Sequence, residues 1–158
     1  MAILNIVKEG DETLRKVCRP VTEITPRIKQ LLDDMLETLI DANGVGLAAP
    51  QVGILRRIAI VDDGERYIEL INPVITERKG EQEDVEGCLS VPEVWGITHR
   101  PMWVKGRALD RNGEEFTFEG EGLTARCFCH EIDHLDGKLF TDEAIHILTP
   151  EEVQERMD

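Results

Sequence analysis

The chain has 158 residues, 41% hydrophobic and 32% charged, a length and mixture that suit one ordinary globular domain over 1–158 and exclude a fibrous or disordered chain. Eighteen Lys and Arg against 32 Asp and Glu give a net charge of −14; without a basic cluster, such a surface argues against direct nucleic-acid binding. No run approaches the ~20 apolar residues of a membrane span, and stretch 1–10 lacks the basic and apolar regions of a signal peptide, so the expectation is a soluble intracellular protein.

In chain order, the first clear element is a helix over about 26–43. Thr25 can cap it, Pro26 suits its first turn and Gly44 can stop it. Ile28, Leu31, Leu32, Met35, Leu36, Leu39 and Ile40 recur at helical spacing, so this stripe should face a sheet. Segment 44–51 matches the dinucleotide pattern G-x-G-x-x-A mechanically. That pattern needs a strand before it and a helix after it; here a helix comes first and Pro50 sits where the second helix should run, so the Rossmann reading fails. Its small residues suggest a loop that lets a substrate backbone come close, and Gln51 offers a neutral amide donor for an oxyanion. The plainer alternative is a helix stop and a tight turn.

Strands are predicted at 57–61, 67–71, 74–77, 102–109 and 115–119, the last two joined by a turn at Arg111-Asn112-Gly113. The polar stretch 78–83 reads as a mobile loop, and 86–90 as a glycine-flanked turn entering a short extended segment. A second helix should span 123–136 between Gly122 and Gly137, with Phe128, Ile132 and Leu135 on its apolar face. A short third helix starts at Thr149-Pro150. One helix, then strands, then another helix reads as α+β, with short antiparallel or mixed sheets packed around the second helix.

That second helix carries His130-Glu131-Ile132-Asp133-His134, an H-E-x-x-H pentad. Positions i and i+4 share a face, so two imidazoles can converge on one metal. Glu131, rotated roughly 100°, stands beside the metal and can work on a bound water without being a ligand. The third ligand is open. Phe140 occupies the place of the third histidine of H-E-x-x-H-x-x-G-x-x-H, which excludes the standard metzincin pattern. Glu151 or Glu152 would make a thermolysin-like set, but both lie in an acidic tail.

Four cysteines remain: Cys18, Cys88, Cys127 and Cys129. Without a secretory signal they should stay reduced. Cys127 shares the face of His134 but lies about 10 Å along the axis. Cys129 should pack inward and Cys18 in the core. Cys88, on a separate element, can close the site above the helix with His130 and His134 and leave a fourth position for water.

Taken together, the segments 44–51, 86–90 and 130–134 resemble the peptide deformylase family, whose signatures are G-Φ-G-Φ-A-A-x-Q, E-G-C-Φ-S and H-E-Φ-D-H (Φ apolar). The resemblance covers essentially the whole chain. It implies one divalent metal on Cys88, His130 and His134, usually ferrous iron, with zinc, nickel or cobalt able to substitute. The implied reaction removes the formyl group from the N-terminal formyl-methionine of nascent proteins and releases formate. Glu131 would move the proton, while Gln51 and the Leu89 backbone N–H would hold the oxyanion. The peptide would lie beside Val45 and Gly46, its methionine in a pocket including Val45, Cys127 and His130.

Two departures are visible. Cys129 stands where the family commonly has glutamine, and the acidic end 151–158 argues against stable ribosome docking through the tail, leaving transient ribosome proximity. The lack of a transit peptide points to the bacterial cytoplasm. Trp95 can wall the substrate cleft or be an ordinary half-buried tryptophan. The rival readings are another metal-dependent amidase, or a structural-zinc domain with no use for Glu131.

Overall fold

The computed structural model describes residues 2–157. Helix α1 (Pro26–Asp41) starts as predicted, with Thr25 extended and its side chain accepting from the Ile28 N–H at 3.3 Å. It buries Leu32, Met35, Thr38 and Leu39 against Leu47, Ile58, Ile60 and Ile71, so its stripe does meet a sheet. Ile40, however, is 51% exposed; it lies at the margin of a stripe whose centre runs through Met35 and Leu39.

The strands are β1 (Gly46–Ala48), β2 (Ile58–Asp62), β3 (Tyr67–Lys79), β4 (Gln82–Cys88), β5 (Val91–Arg100), β6 (Trp103–Leu109), β7 (Glu115–Glu121) and β8 (Ala144–Ile147). They form a five-stranded sheet in the order β1-β2-β3-β6-β7 and a three-stranded sheet in the order β4-β5-β8. Every pairing between these strands is antiparallel. The β6–β7 hairpin turns as expected: Asp110 Oδ1 accepts from the Asn112 and Glu114 N–H groups, and Gly113 takes φ 82°.

Several expectations are corrected. Segments 67–71 and 74–77 belong to one strand, β3, interrupted at Asn72, whose φ is 53°. The Asn72 side chain accepts from the Val21 N–H and donates to the Val21 carbonyl, both at 2.8 Å, so it imitates a strand partner there. The stretch 78–83 is not a loop. Arg78 and Lys79 pair with Val104 and Trp103, Gln82 and Glu83 pair with Arg100 and His99, and only Gly80 and Glu81 turn the chain. Segment 44–51 likewise contributes β1 and the 3-10 turn Ala49–Val52.

Helix α2 (Leu123–Leu135) packs against β1, β2, β6 and β7 of the larger sheet and also against β5 of the smaller one. Phe128 and Leu135 are wholly buried, each worth about 1.5–3 kcal/mol as burial, and the Phe128 ring lies 4.5 Å from that of Phe118. The chain then forms α3 (Phe140–Glu143) and α4 (Pro150–Met157), the last with no buried residue. No helix among the described residues is long and apolar enough to cross a membrane.

Candidate active site

The predicted histidines converge. His130 and His134 stand one turn apart on α2, 8% and 1% exposed, with ring centroids 4.9 Å apart. Cys88, the last residue of β4, brings its Sγ within 3.4 Å of His134 Nε2. One ligand atom from each of the three residues lies within 4.8 Å of the others. His130 Nδ1 is 2.7 Å from Glu86 Oε1; a carboxylate accepts, so Nδ1 carries the proton and Nε2 is left for the site. A thiolate and two imidazoles suit a divalent transition metal with a position to spare.

Electrostatics separate the groups around this cluster. Burial pulls the His130 pKa down, but Glu131, Cys88 and Glu86 outweigh it and hold it well above 6.5. Burial keeps His134 well below that value, with cationic His130 and Arg100 adding to the effect. Glu131 is pushed up to about 7 by burial, against the pull of His130. Burial also opposes ionisation of Glu86, yet hydrogen bonds from His130 and Arg100 prevail and bring it down to about 2.

Glu131 is 3% exposed, and its Oε1 is buried with no hydrogen-bond partner. Gly46 makes room for it: a Cβ there would fall 2.8 Å from Glu131 Cδ and 2.9 Å from Cγ, closer than real side chains pack. A Cβ on Gly44 would meet Leu39 Cδ1 and Leu89 Cδ1, each at 2.9 Å. Both glycines of segment 44–51 thus accommodate the protein's own side chains.

Gln51 is 1% exposed. Its Oε1 accepts from the Ala48 N–H at 2.9 Å, which fixes the amide so that Nε2 points inward. Nε2 donates to Ser90 Oγ at 3.1 Å and lies 3.6 Å from Cys88 Sγ. A cleft of about 620 Å³ opens onto this group and is lined by Val45, Gly46, Gln51, Leu89, Cys127 and Glu131, among others. Trp95 also lines it, 42% exposed, its ring carbon Cε3 2.6 Å from where a Gly87 Cβ would sit.

The remaining candidates fall elsewhere. Glu152 bonds His146 at 2.9 Å and caps α4 through the Thr149 N–H, half-buried and outside the cleft. Cys129 packs in the core with Phe128, and Cys18 with Ala48, Ala59 and Leu135. All four cysteines are free thiols.

The sequence reading missed what stands behind His130. Arg100, on β5, donates to Glu86 Oε1 at 2.8 Å and Oε2 at 3.3 Å and to Asp133 Oδ2 at 2.6 Å. Thr98 Oγ1 also donates to Glu86. Glu86 and Asp133 lie inside the E-G-C-Φ-S and H-E-Φ-D-H motifs, so a hint existed. Arg100 belongs to no motif, and only the β4–β5 pairing brings it there.

Two histidines and a cysteine sulfur, with a buried ion-pair network behind His130 and an unpartnered carboxylate in front, define a metallohydrolase site on an α+β fold. Similarity to known proteins narrows the class. The family model for polypeptide deformylase matches residues 3–149. Over 158 aligned residues, the chain is 56% identical to a peptide deformylase of Agathobacter rectalis, covering 98% of this chain and all of that one. It is 54% identical to one of Acetivibrio thermocellus, over 100% and 93%. The crystal structure of a peptide deformylase from Legionella pneumophila superposes with a TM-score of 0.87 at 42% identity, covering 98% of this chain and 91% of that one. One from Synechococcus elongatus, solved in complex with actinonin, gives 0.87 at 37% identity, over 98% and 84%. The chain belongs to the polypeptide deformylase family. It is a metal-dependent hydrolase that removes the N-terminal formyl group from nascent peptides.

Proposed function

We propose that Cys88, His130 and His134 hold one divalent metal, ferrous iron in the cell, and that Glu131, Gln51 and the Leu89 backbone N–H perform deformylation beside it. The single observation carrying this reading is the Glu131 carboxyl, buried and unpartnered next to the three clustered donor atoms. When bound, the metal acidifies water and polarises the formyl oxygen; zinc, nickel or cobalt can take its place.

With its pKa near 7, Glu131 accepts the proton from the attacking water and passes it to the departing amine. Gln51 Nε2, held inward by the Ala48 N–H, donates to the developing oxyanion together with Leu89 N–H; losing one such donor costs about 10²–10³ in rate. Glu86 fixes the His130 tautomer from behind, as outer partners of metal ligands do. The peptide runs beside Val45 and Gly46, and its methionine enters the pocket that includes Val45, Cys127 and His130.

Residues 1–158 act as one domain in the bacterial cytoplasm. The helix over 150–157 carries Glu151, Glu152 and Glu155 against Arg156, a charge balance that favours transient ribosome proximity over docking through this tail and gives no footing for nucleic acid.

The test is formate release from a formyl-methionyl peptide and from its acetyl counterpart, with anaerobically prepared, ferrous-loaded protein. Release from the formyl peptide alone is expected. Hydrolysis of longer peptides at internal bonds, without formate, would instead mark a peptidase.

A further inference from the structure

The two groups proposed to hold the oxyanion come from different parts of the fold. Gln51 sits in the 3-10 turn Ala49–Val52, directly after β1 of the larger sheet. Leu89 sits with Ser90 in the two-residue turn between Cys88 and Val91, at the tip of the β4–β5 hairpin of the smaller sheet. A hairpin tip has no ladder partner beyond it, so its outward peptide groups need support from elsewhere. The N-terminal segment supplies that support. Over three consecutive residues, the Val7 N–H donates to the Gln51 carbonyl at 2.7 Å, the Lys8 ammonium to the Leu89 carbonyl at 3.4 Å, and the Glu9 N–H to the Ser90 carbonyl at 2.7 Å. The segment is itself held: the Leu4 N–H donates to Thr38 Oγ1 on α1 at 2.8 Å, and Val7 packs against the cluster of Leu14, Val91 and Phe140. The bond from Gln51 Nε2 to Ser90 Oγ also spans the gap, but it uses the amide nitrogen that serves the oxyanion. The 7–9 segment joins the two backbones without it.

We infer that Val7, Lys8 and Glu9 are positioning residues for the reaction, a brace that fixes the separation of Gln51 and Leu89. The inference rests on the deformylase reading and on the roles proposed for those two donors, and adds to both. Donors aimed at a developing charge lower the barrier only when they are already in place. A displacement of about 1 Å can cost about 10²-fold in rate. Leu89 lies at a hairpin tip and Gln51 in a short turn of another sheet, so neither element sets the distance between them. The brace does, through the carbonyls of Gln51, Leu89 and Ser90. Its effect is felt where the oxyanion forms, in the transition state, and therefore falls on kcat rather than KM.

The native Cys18 allows the full chain to be assembled by ligating a synthetic 1–17 thioester to recombinant 18–158. In that protein, metal-loaded, the Val7 or the Glu9 N–H is replaced by an ester oxygen, which removes one donor and keeps every side chain. Each ester should lower kcat for a formyl-methionyl peptide by about tenfold, with KM and metal content as in the all-amide control. In a Gln51→Ala background the Val7 ester should cost nothing more, since the donor it positions is gone. Lys8→Met, a change at an exposed side chain, should lower kcat by about threefold at constant KM, and it decides the matter if an ester protein does not fold. Unchanged kcat in the esters, or in Lys8→Met where they do not fold, overturns the inference and leaves the deformylase reading intact. So does a rise in KM alone, or an equal loss in the parent and Gln51→Ala backgrounds, which marks a merely structural contact. Absence of formate from the recombinant parent would instead overturn the deformylase reading, and the inference with it.

Discussion

Two buried carboxylates flank His130, and they are held in opposite states. Behind the ring, Glu86 is met by Arg100, Thr98 and His130 itself and is driven down to about 2. In front, Glu131 has an oxygen with no partner and is driven up to about 7. Both side chains are buried; what differs is the supply of donors. A pair of carboxyl groups pushed apart in this way divides the labour of an acid–base site. The rear group holds the imidazole in one tautomer, and the front group keeps an oxygen without a protein partner, as the proton carrier proposed above requires.

The contrast breaks most severely at its rear. Arg100→Met leaves Glu86 and Asp133 facing each other without their shared cation, so denaturant unfolding should lose about 3–5 kcal/mol. In front, Gly46→Ala forces a methyl into the space of the Glu131 carboxylate. Turnover should fall by about 10²-fold while metal content, read by elemental analysis, stays at one per chain.

A pH experiment sharpens the same comparison. Because Glu131 is raised from 4.5 to about 7 in the folded protein, its contribution to stability is full below about pH 4.5 and is lost as pH rises through about 7. Metal-free parent protein should therefore lose about 2 kcal/mol between pH 5 and 8 that Glu131→Gln does not lose. Equal slopes for the two proteins would deny the raised pKa.

The mildest effect concerns the thiols. Burial pushes Cys18 and Cys129 up to about 11 and Cys127 up to about 12. Alkylation of the native metal-free protein at pH 8 should mark Cys88 alone, by peptide mass, and added metal should protect it.

Much of this site was legible in the sequence because its pieces are local. The H-E-x-x-H spacing fixes which side chains share a helix face, and Gln51 and Cys88 sit in short segments rich in small residues. The helices and the strands β2, β6 and β7 were legible through their apolar periodicity. Strand β4 was not: Gln82-Glu83-Asp84-Val85-Glu86 lies at a sheet edge and presents mostly polar groups. Arg100 was invisible for a related reason, since a buried arginine reads as a surface residue until its two carboxylates are brought to it. Gly46 was expected to let a substrate backbone come close; the structure adds a second reason for glycine there, since a Cβ would collide with the Glu131 side chain.

The most direct test of the central contrast is formate release by Glu131→Gln and Glu86→Gln at matched, measured metal occupancy. Glu131→Gln should bind metal as the parent does and lose about 10²–10⁴ in turnover. Glu86→Gln should bind metal about 10–100-fold more weakly and recover most of its turnover once saturated. The reverse pattern, with Glu131→Gln active and Glu86→Gln inactive when fully loaded, would contradict the division between the two carboxylates.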